Sequence, residues 1–277
     1  MYKINPISES QIDICNKCRD CIADKGLKNK FDATISHICN SATLYNSKGV
    51  EGKLYELQAN NKMIGKLTKD EIIKMYTYRF SAKKSKARLY YDMIKSISSI
   101  CPYCGIGLVS TLDHYLPKNE YPDYSITIYN LVPSCKDCNF NKKGGIVFSN
   151  ENHLFHPYYD EIDASDWLKL NINEEKPLII NYFIDSENNN DVIMHKRLYN
   201  QFKTLNLFNL YNVYALNEIC ERYDLLKECF LEQGSEALSS ELKKISRSIS
   251  PNKNLWKHVL YRDLSINNWF CNNYFCE

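Results

Sequence analysis

Apolar residues recur at helical spacing through the first hundred positions of the chain. After Ser8, after Thr68 and across residues 81–100, apolar side chains follow one another at intervals of three or four residues. This is the period of a helix that buries one face. Ser8 and Gln11 also have the spacing of a capping box, which marks the start of a helix. The pattern therefore predicts three helices before Cys101.

The pattern changes at Cys101, where short apolar pieces alternate with glycines, prolines and paired cysteines. Residues 177–184 (PLIINYFI) predict one strand. Helical spacing returns from His195 onward, and residues 208–230 keep one apolar face for several turns. The chain is therefore divided into three segments: a helical N-terminal region with a basic segment (1–100), a compact module (101–160) and a mainly helical C-terminal region (161–277).

Composition places the chain among ordinary globular proteins. Of 277 residues, 44% are hydrophobic and 25% are charged, so disorder is not expected. The formal net charge is only +2, and a nucleic-acid partner would therefore need a local concentration of basic residues. No apolar run is long enough for a membrane span. A cytoplasmic protein without a membrane partner is expected, and its twelve cysteines are then metal ligands or buried thiols rather than disulfides.

Four of these cysteines have the spacing of a zinc site. Cys101 and Cys104 form one Cys-x-x-Cys pair, and Cys135 and Cys138 form a second after thirty intervening residues. Two such turns can direct four thiolates at one tetrahedral ion. The alternative is a set of buried or redox-active thiols. With four protein ligands such an ion is structural, because no position is left open for a substrate. Any chemistry would need a second centre.

A second metal site is a weaker hypothesis. Cys15, Cys18 and Cys21 follow one another at three-residue intervals, with His37 and Cys39 downstream. A single helix cannot easily direct three such side chains at one ion. Packing in the core is therefore the favoured interpretation, since free cysteine is one of the most buried residue types.

Two stretches around the second cysteine pair carry a family resemblance. Residues 112–118 read LDHYLPK, and residues 130–142 read NLVPSCKDCNFNK. Together with the first cysteine pair they resemble the HNH endonucleases, the zinc-framed branch of the ββα-metal nucleases. The resemblance implies an α+β protein, mainly helical, with an embedded zinc-stapled ββα-metal module. More loosely, residues 156–158 and 254–257 are similar to full-length HNH nucleases of bacterial anti-phage defence systems, of the Septu and retron-associated types.

The resemblance also implies roles for individual residues. His114 would be the general base that takes a proton from water, which suits an imidazole. Asp113 and Asn139 would bind a catalytic Mg²⁺ or Mn²⁺, because carboxylate and amide oxygens suit these hard cations. Asn130 would hold the loop and orient His114. Two hypotheses of equal weight apply to His156. It contacts phosphate or metal, or it makes a structural hydrogen bond.

Basic residues concentrate just before the module. Residues 74–95 contain seven lysines and arginines and one acid, Asp92. A surface that contacts the nucleic-acid backbone is one reading, and a solvated helix face is the other. No base-reading helix is evident, so low sequence specificity is expected. The candidate nucleic-acid contacts are Lys83, Lys84, Lys86 and Arg88 in this segment, with Lys118 and Lys142 in the module.

The resemblance implies a metal-dependent endonuclease that hydrolyses phosphodiester bonds of DNA and acts in anti-phage defence. Its activity is expected to be controlled by a protein partner such as an ATPase or sensor, or by homo-oligomerisation. One alternative is a non-catalytic zinc module that binds nucleic acid or protein. The presence of Asp113, His114 and Asn139 together argues against it, because a binding module does not need all three. A nuclease directed at RNA is the other alternative.

Overall fold

The protein is α+β and mostly helical, with two small antiparallel sheets. The computed structural model describes residues 1–142, 149–162, 165–185, 191–249 and 252–276. None of the helices in these ranges is long and apolar enough to span a membrane.

Eleven helices and four strands occur in the described residues. The helices are α1 (Gln11–Arg19), α2 (Lys25–Asp32), α3 (Ile35–Val50), α4 (Lys69–Met75), α5 (Arg88–Ser96), α6 (Lys136–Lys142), α7 (Val192–Thr204), α8 (Leu207–Glu221), α9 (Tyr223–Ile249), α10 (Trp256–Leu264) and α11 (Asn268–Asn272). The strands are β1 (Thr111–His114), β2 (Leu131–Ser134), β3 (Leu168–Ile172) and β4 (Ile180–Ile184). A π-helical turn, Tyr76–Phe80, follows α4 directly.

The chain separates into two compact units, Met1–Asp160 and Glu161–Glu277. The first unit contains α1 to α6 with the β1–β2 sheet, and the second contains α7 to α11 with the β3–β4 sheet. The division into three segments, with a separate helical region before residue 101, stays a prediction.

Of the two helix starts predicted in the first unit, one is confirmed and the other is not. At α4, the Thr68 hydroxyl accepts from the Glu71 N–H at 3.2 Å, and the Glu71 carboxylate accepts from the Thr68 N–H at 2.8 Å. This reciprocal pair satisfies two amides that the first turn leaves open, so α4 begins where predicted. The prediction of a capping box at Ser8 was wrong. Helix α1 has Ser10 as its N-cap, and the Gln11 side chain instead donates to the Ile126 carbonyl at 3.0 Å.

The helix predicted over residues 81–100 is shorter than expected. It comprises only Arg88–Ser96, because the residues before it form a side-chain-stabilised loop. The Ser85 hydroxyl donates to the Arg79 carbonyl and accepts from the Ala87 N–H. Serine competes with helical hydrogen bonding in this way.

The β1–β2 sheet forms one wall of the core in the first unit. It pairs Asp113 with Val132 and His114 with Leu131, in antiparallel register. Leu112 and Leu131 belong to the apolar cluster that also contains residues of α1, α4 and α5. Burial of these side chains fixes the sheet against the helices, because a shift of one residue would exchange the faces of a strand. The chain then continues into α6, so Asp113 and His114 lie close to that helix.

The second unit shows one confirmed strand and one that the pattern missed. Strand β4 lies inside the predicted range 177–184, and it pairs with β3 from Leu168↔Ile184 to Ile172↔Ile180. The long apolar face over 208–230 belongs to two helices, α8 and α9, which are separated at Arg222. Helix α9 is itself interrupted at Gly234, whose φ of 83° suits a residue without a side chain.

Candidate functional site

The four cysteines of the two Cys-x-x-Cys pairs come together as one buried group. The sulfur atoms of Cys101, Cys104, Cys135 and Cys138 all lie within 4.8 Å of one another. Four thiols converging on one point are the donor set of a tetrahedral zinc site. The described part of the chain can therefore bind zinc here.

Backbone amides donate to two of the four cysteine sulfur atoms. The Gly107 N–H donates to the Cys104 sulfur at 3.3 Å, and the Cys138 N–H donates to the Cys135 sulfur at 3.4 Å. Hydrogen bonds from Cys101, and then from Cys135 and Cys138, lower the pKa of Cys104 against the effect of burial. The same hydrogen bonds within the group raise the pKa of Cys101 and Cys138. Binding of a metal would therefore displace protons that the four thiols share, because metals bind thiolates.

The remaining cysteine-rich segment forms no such group in the described residues, where the four-cysteine cluster is the one set with metal-binding spacing. Cys15 and Cys18 are fully buried in the apolar core of the first unit. His37 hydrogen-bonds to Asp123 at 2.7 Å. This arrangement agrees with the core-packing interpretation.

The first cysteine turn is directly connected to Asp113. Tyr103, between Cys101 and Cys104, donates its hydroxyl to Asp113 Oδ2 at 2.8 Å, and both residues are buried. The Lys142 ammonium lies 2.8 Å from the same oxygen and 2.6 Å from the His114 carbonyl oxygen. Burial lowers the pKa of Lys142, and the Asp113 carboxylate opposes that change. The two contacts fix the carboxylate through one oxygen.

A cavity of about 180 Å³ adjoins this carboxylate; it is lined by Asp113, His114, Pro117, Lys118, Asn119, Asn139 and Lys142. The Asn139 amide donates to the Thr111 hydroxyl at 3.0 Å and faces the Leu112 carbonyl at 3.4 Å. Within the described residues, Asp113 Oδ1 and Asn139 Oδ1 accept no hydrogen bond. Two hard oxygen donors at one cavity fit Mg²⁺ or Mn²⁺, which take such ligands together with water.

His114 is held as a neutral imidazole beside this cavity. Its Nε2 donates to the Ser125 carbonyl at 2.9 Å, which leaves Nδ1 as the unprotonated nitrogen. Burial, together with the charges of Lys118 and Lys142, lowers the pKa of His114 to about 3, and the hydrogen bond to Ser125 opposes the shift. The Tyr76 ring packs edge-on against the imidazole, with 4.3 Å between centroids. The ring is therefore fixed and able to accept a proton.

The side chain of Asn130 hydrogen-bonds to the loops next to His114. Its Oδ1 accepts from the Leu116 N–H at 2.7 Å and from the Tyr45 hydroxyl at 3.0 Å. Its Nδ2 donates to the carbonyls of Leu116 and Tyr124 at 3.0 and 3.1 Å. Tyr124 precedes Ser125, the acceptor of the His114 hydrogen bond. Asn130 therefore holds the loop that contains the acceptor of the His114 hydrogen bond.

His156 occupies a structural position rather than the cavity wall. The residue is 1% exposed, and its Nδ1 accepts from the Tyr158 N–H at 3.1 Å. The proton is then on Nε2, 3.2 Å from the Tyr45 hydroxyl, which in turn donates to Asn130. Of the two readings left open by the sequence, this geometry supports the structural hydrogen bond.

The contacts of three tyrosines with the site residues were not predicted from the sequence. These are Tyr45, Tyr76 and Tyr103. Tyr103 could have been noticed, because it lies inside the first cysteine pair. Tyr45 and Tyr76 carry no signal of their own, since a tyrosine at helical spacing is usually a core residue.

The candidate nucleic-acid contacts fall into three groups. Lys83, Lys84 and Lys86 are exposed on the loop before α5. Arg88 is instead bound within its own segment, to Asp92 and to the Ser81 carbonyl. The remaining two, Lys118 and Lys142, line the cavity, and the Lys118 ammonium lies 5.2 Å from the centre of the Tyr76 ring.

Comparison with known proteins gives two relatives. No protein-family profile matches the chain, and no solved structure matches it. The Septu protein PtuB of Bacillus thuringiensis is 32% identical over 73 residues, which are 24% of this chain and 28% of PtuB. Protein ea31 of Escherichia phage lambda is 30% identical over 288 aligned positions, covering 96% of this chain and 97% of that protein. The chain therefore belongs to the family of the phage lambda protein ea31.

Proposed function

We propose that this protein is a metal-dependent endonuclease of the HNH class that hydrolyses phosphodiester bonds of DNA. One observation carries the proposal. Asp113, His114 and Asn139 line a single cavity, and each has an acceptor atom that no hydrogen bond of the described residues occupies. The four-cysteine group lies next to them in the chain and connects to Asp113 through Tyr103.

His114 is assigned the role of general base. Its Nδ1 would take a proton from the attacking water, while the Nε2 bond to Ser125 keeps the ring in one tautomer. A base with a pKa near 3 is weak; burial is the main cause of that value, and Lys118 and Lys142 add to it. A phosphate anion in the cavity would offset the charges of the two lysines and raise the pKa of His114.

Asp113 and Asn139 would hold the catalytic divalent cation through their Oδ1 atoms. When bound, Mg²⁺ or Mn²⁺ supplies charge stabilisation to the phosphate and to the departing oxygen. The residues themselves supply hard ligands in fixed positions, because Tyr103 and Lys142 hold Asp113 and the Thr111 hydroxyl holds Asn139.

Zinc on Cys101, Cys104, Cys135 and Cys138 would have a structural role. Four protein ligands leave no coordination position for substrate. The cluster would instead fix the turn that contains Tyr103 and the start of α6, which carries Asn139 and Lys142. The catalytic residues then share one stabilised segment.

The cellular role that we propose is anti-phage defence, in the cytoplasm. The partial similarity to the Septu protein PtuB supports it. Lys83, Lys84 and Lys86 would contact the DNA backbone with low sequence specificity. Control by an ATPase, a sensor protein or self-association would keep such an activity from damaging the cell's own DNA.

The proposal is tested by incubating zinc-loaded protein with circular DNA and, separately, with RNA, in Mg²⁺ or Mn²⁺. The wild type should nick the DNA, and His114→Ala should reduce the rate by about a hundredfold or more, since general-base catalysis contributes that much. His195→Ala, in α7 of the second unit, is the matched histidine control and should cut normally. Equal cleavage by wild type and His114→Ala would refute the mechanism. Binding without any cleavage would indicate a zinc-containing binding module.

A further inference from the structure

We propose that the Lys142 ammonium is a built-in counter-charge that keeps divalent cations weakly bound until nucleic-acid phosphate enters the cavity. This inference rests on the proposed function, because it assumes that Asp113 is a ligand of the catalytic cation. It concerns when that ion binds rather than which reaction it supports.

The side chain of Lys142 is buried, unlike that of a surface lysine that is free to bind phosphate. Its ammonium contacts the Asp113 carboxylate at 2.8 Å and the His114 carbonyl at 2.6 Å, and only 8% of its side chain is exposed. Lys142 comes three residues after Asn139 on α6, so the amide and the ammonium project from neighbouring positions of one helix. The charge is therefore fixed at the proposed ion site.

The charge of the cavity walls favours anions over cations. Among the residues that line it, Asp113 contributes one negative charge, and Lys118 and Lys142 each contribute a positive one. These side chains carry a net charge of +1 before any ion enters. A divalent cation that binds Asp113 would share the carboxylate with the Lys142 ammonium and would be repelled by it.

Phosphate changes this balance. Each phosphodiester carries one negative charge, and a nucleic-acid strand brings several to the same surface. The added negative charge reduces the repulsion between the ammonium and the cation. Cation binding and nucleic-acid binding are thus coupled, and the coupling is reciprocal: each ligand tightens the binding of the other by the same factor.

The test measures Mn²⁺ affinity rather than cleavage. Titration calorimetry is performed on the full-length, zinc-loaded His114→Ala protein, which leaves the DNA intact, with and without a short DNA duplex. The same titrations are repeated after adding Lys142→Met. Lys136→Met serves as the matched control, because Lys136 lies on the same helix, is exposed and is not among the residues that line the cavity.

Without DNA, Lys142→Met should tighten Mn²⁺ binding by about tenfold or more, because a unit charge beside a divalent ion is removed. Lys136→Met should change it by less than about twofold, since its charge is solvated. DNA should tighten Mn²⁺ binding to the parent protein and have a smaller effect on the Lys142→Met protein. Zinc content and thermal unfolding establish that each variant is folded. Lys142→Gln provides the same loss of charge if the methionine variant does not fold.

Two failures are distinguishable. If the parent protein binds Mn²⁺ and loss of the Lys142 charge does not tighten the binding, the counter-charge is refuted and the nuclease proposal stands. If Mn²⁺ binds no variant, with or without DNA, the catalytic ion site is wrong and both proposals fall.

Discussion

The hydroxyl of Tyr103 donates a buried hydrogen bond to the carboxylate of Asp113, across 2.8 Å. Tyr103 belongs to the turn between two cysteines of the proposed zinc site, and Asp113 belongs to the strand that carries the proposed base. The bond therefore makes the position of the carboxylate depend on the position of the cysteine cluster.

Replacing Tyr103 by Phe should slow cleavage by about tenfold and destabilise the protein by about 1–3 kcal/mol, because a buried carboxylate loses a hydrogen-bond donor. Zinc content should not change. The control is Tyr158→Phe, which removes another buried hydroxyl bond, to the Leu131 carbonyl at 2.7 Å. It should cost similar stability and leave the cleavage rate unaltered. Equal cleavage rates for the two variants would mean that Tyr103 does not position Asp113.

Removal of the cysteine ligands should unfold the first unit rather than only slow the reaction. Cys138→Ser, or treatment with a strong chelator, should lower the melting temperature by about 10 °C or more, since metal binding contributes directly to folding. Bound zinc, measured by atomic emission, should fall in parallel. Cys220→Ser changes an exposed thiol of the second unit and should alter neither quantity. A fully folded, zinc-free Cys138→Ser protein would contradict the structural role.

Stability of the second unit should depend on pH through Glu218. Burial raises the pKa of this carboxyl, but hydrogen bonds from Lys257, Tyr261 and Arg222 outweigh it, and the net pKa is lower than the ordinary value of 4.5. A carboxyl with a depressed pKa stabilises the fold above its unfolded pKa, and this contribution is lost as the pH falls through the folded value.

Glu218→Gln should therefore lower the melting temperature at neutral pH and have a progressively smaller effect below about pH 4. The measurement is thermal unfolding of both proteins across a pH series. Glu236→Gln is the control, because it removes a carboxyl of α9 for which no hydrogen bond or ion pair occurs among the described residues. A difference between wild type and Glu218→Gln that stays constant down to pH 3 would rule out this linkage.

Replacing Lys83, Lys84 and Lys86 together by Ala should weaken DNA binding and flatten its salt dependence. Each lysine that contacts a phosphate contributes about 0.9 to the slope of log K against log salt. The triple variant should lose up to about 2.7 in that slope. Three exposed lysines of the second unit, Lys203, Lys243 and Lys244, form the matched control. If both triple variants bind DNA alike, the loop before α5 is not the contact surface.

The local parts of the site could be predicted because their residues lie within a few positions of one another in the sequence. The two cysteine pairs converge on one point, and the adjacent Asp113 and His114 line one cavity with Asn139. Sequence separation inside these motifs is small or bridged by the paired strands. The start of α4 was equally local, since Thr68 and Glu71 satisfy each other's amides.

The rest depends on contacts between distant segments. Tyr45 is 85 residues from Asn130 in the sequence, and no local sequence pattern predicts the hydrogen bond between them. The loop before α5 depends on a single hydroxyl, that of Ser85, which redirects a segment of helical composition. The buried ion pair of Lys142 with Asp113 was also not predictable, because a lysine shortly after a cysteine pair is usually a surface residue.

The ring contact between Tyr76 and His114 bears on how this protein could be divided or recombined. The residues with recognisable motifs lie between 101 and 142, yet one side of the imidazole is covered by a side chain from the turn after α4. Excising the motif region would expose that ring to water, along with the apolar faces of Leu112 and Leu131. The motif region therefore cannot be moved into another protein without the residues that cover it. A chimaera that exchanges the first hundred residues would alter the environment of the proposed base while leaving every motif residue intact.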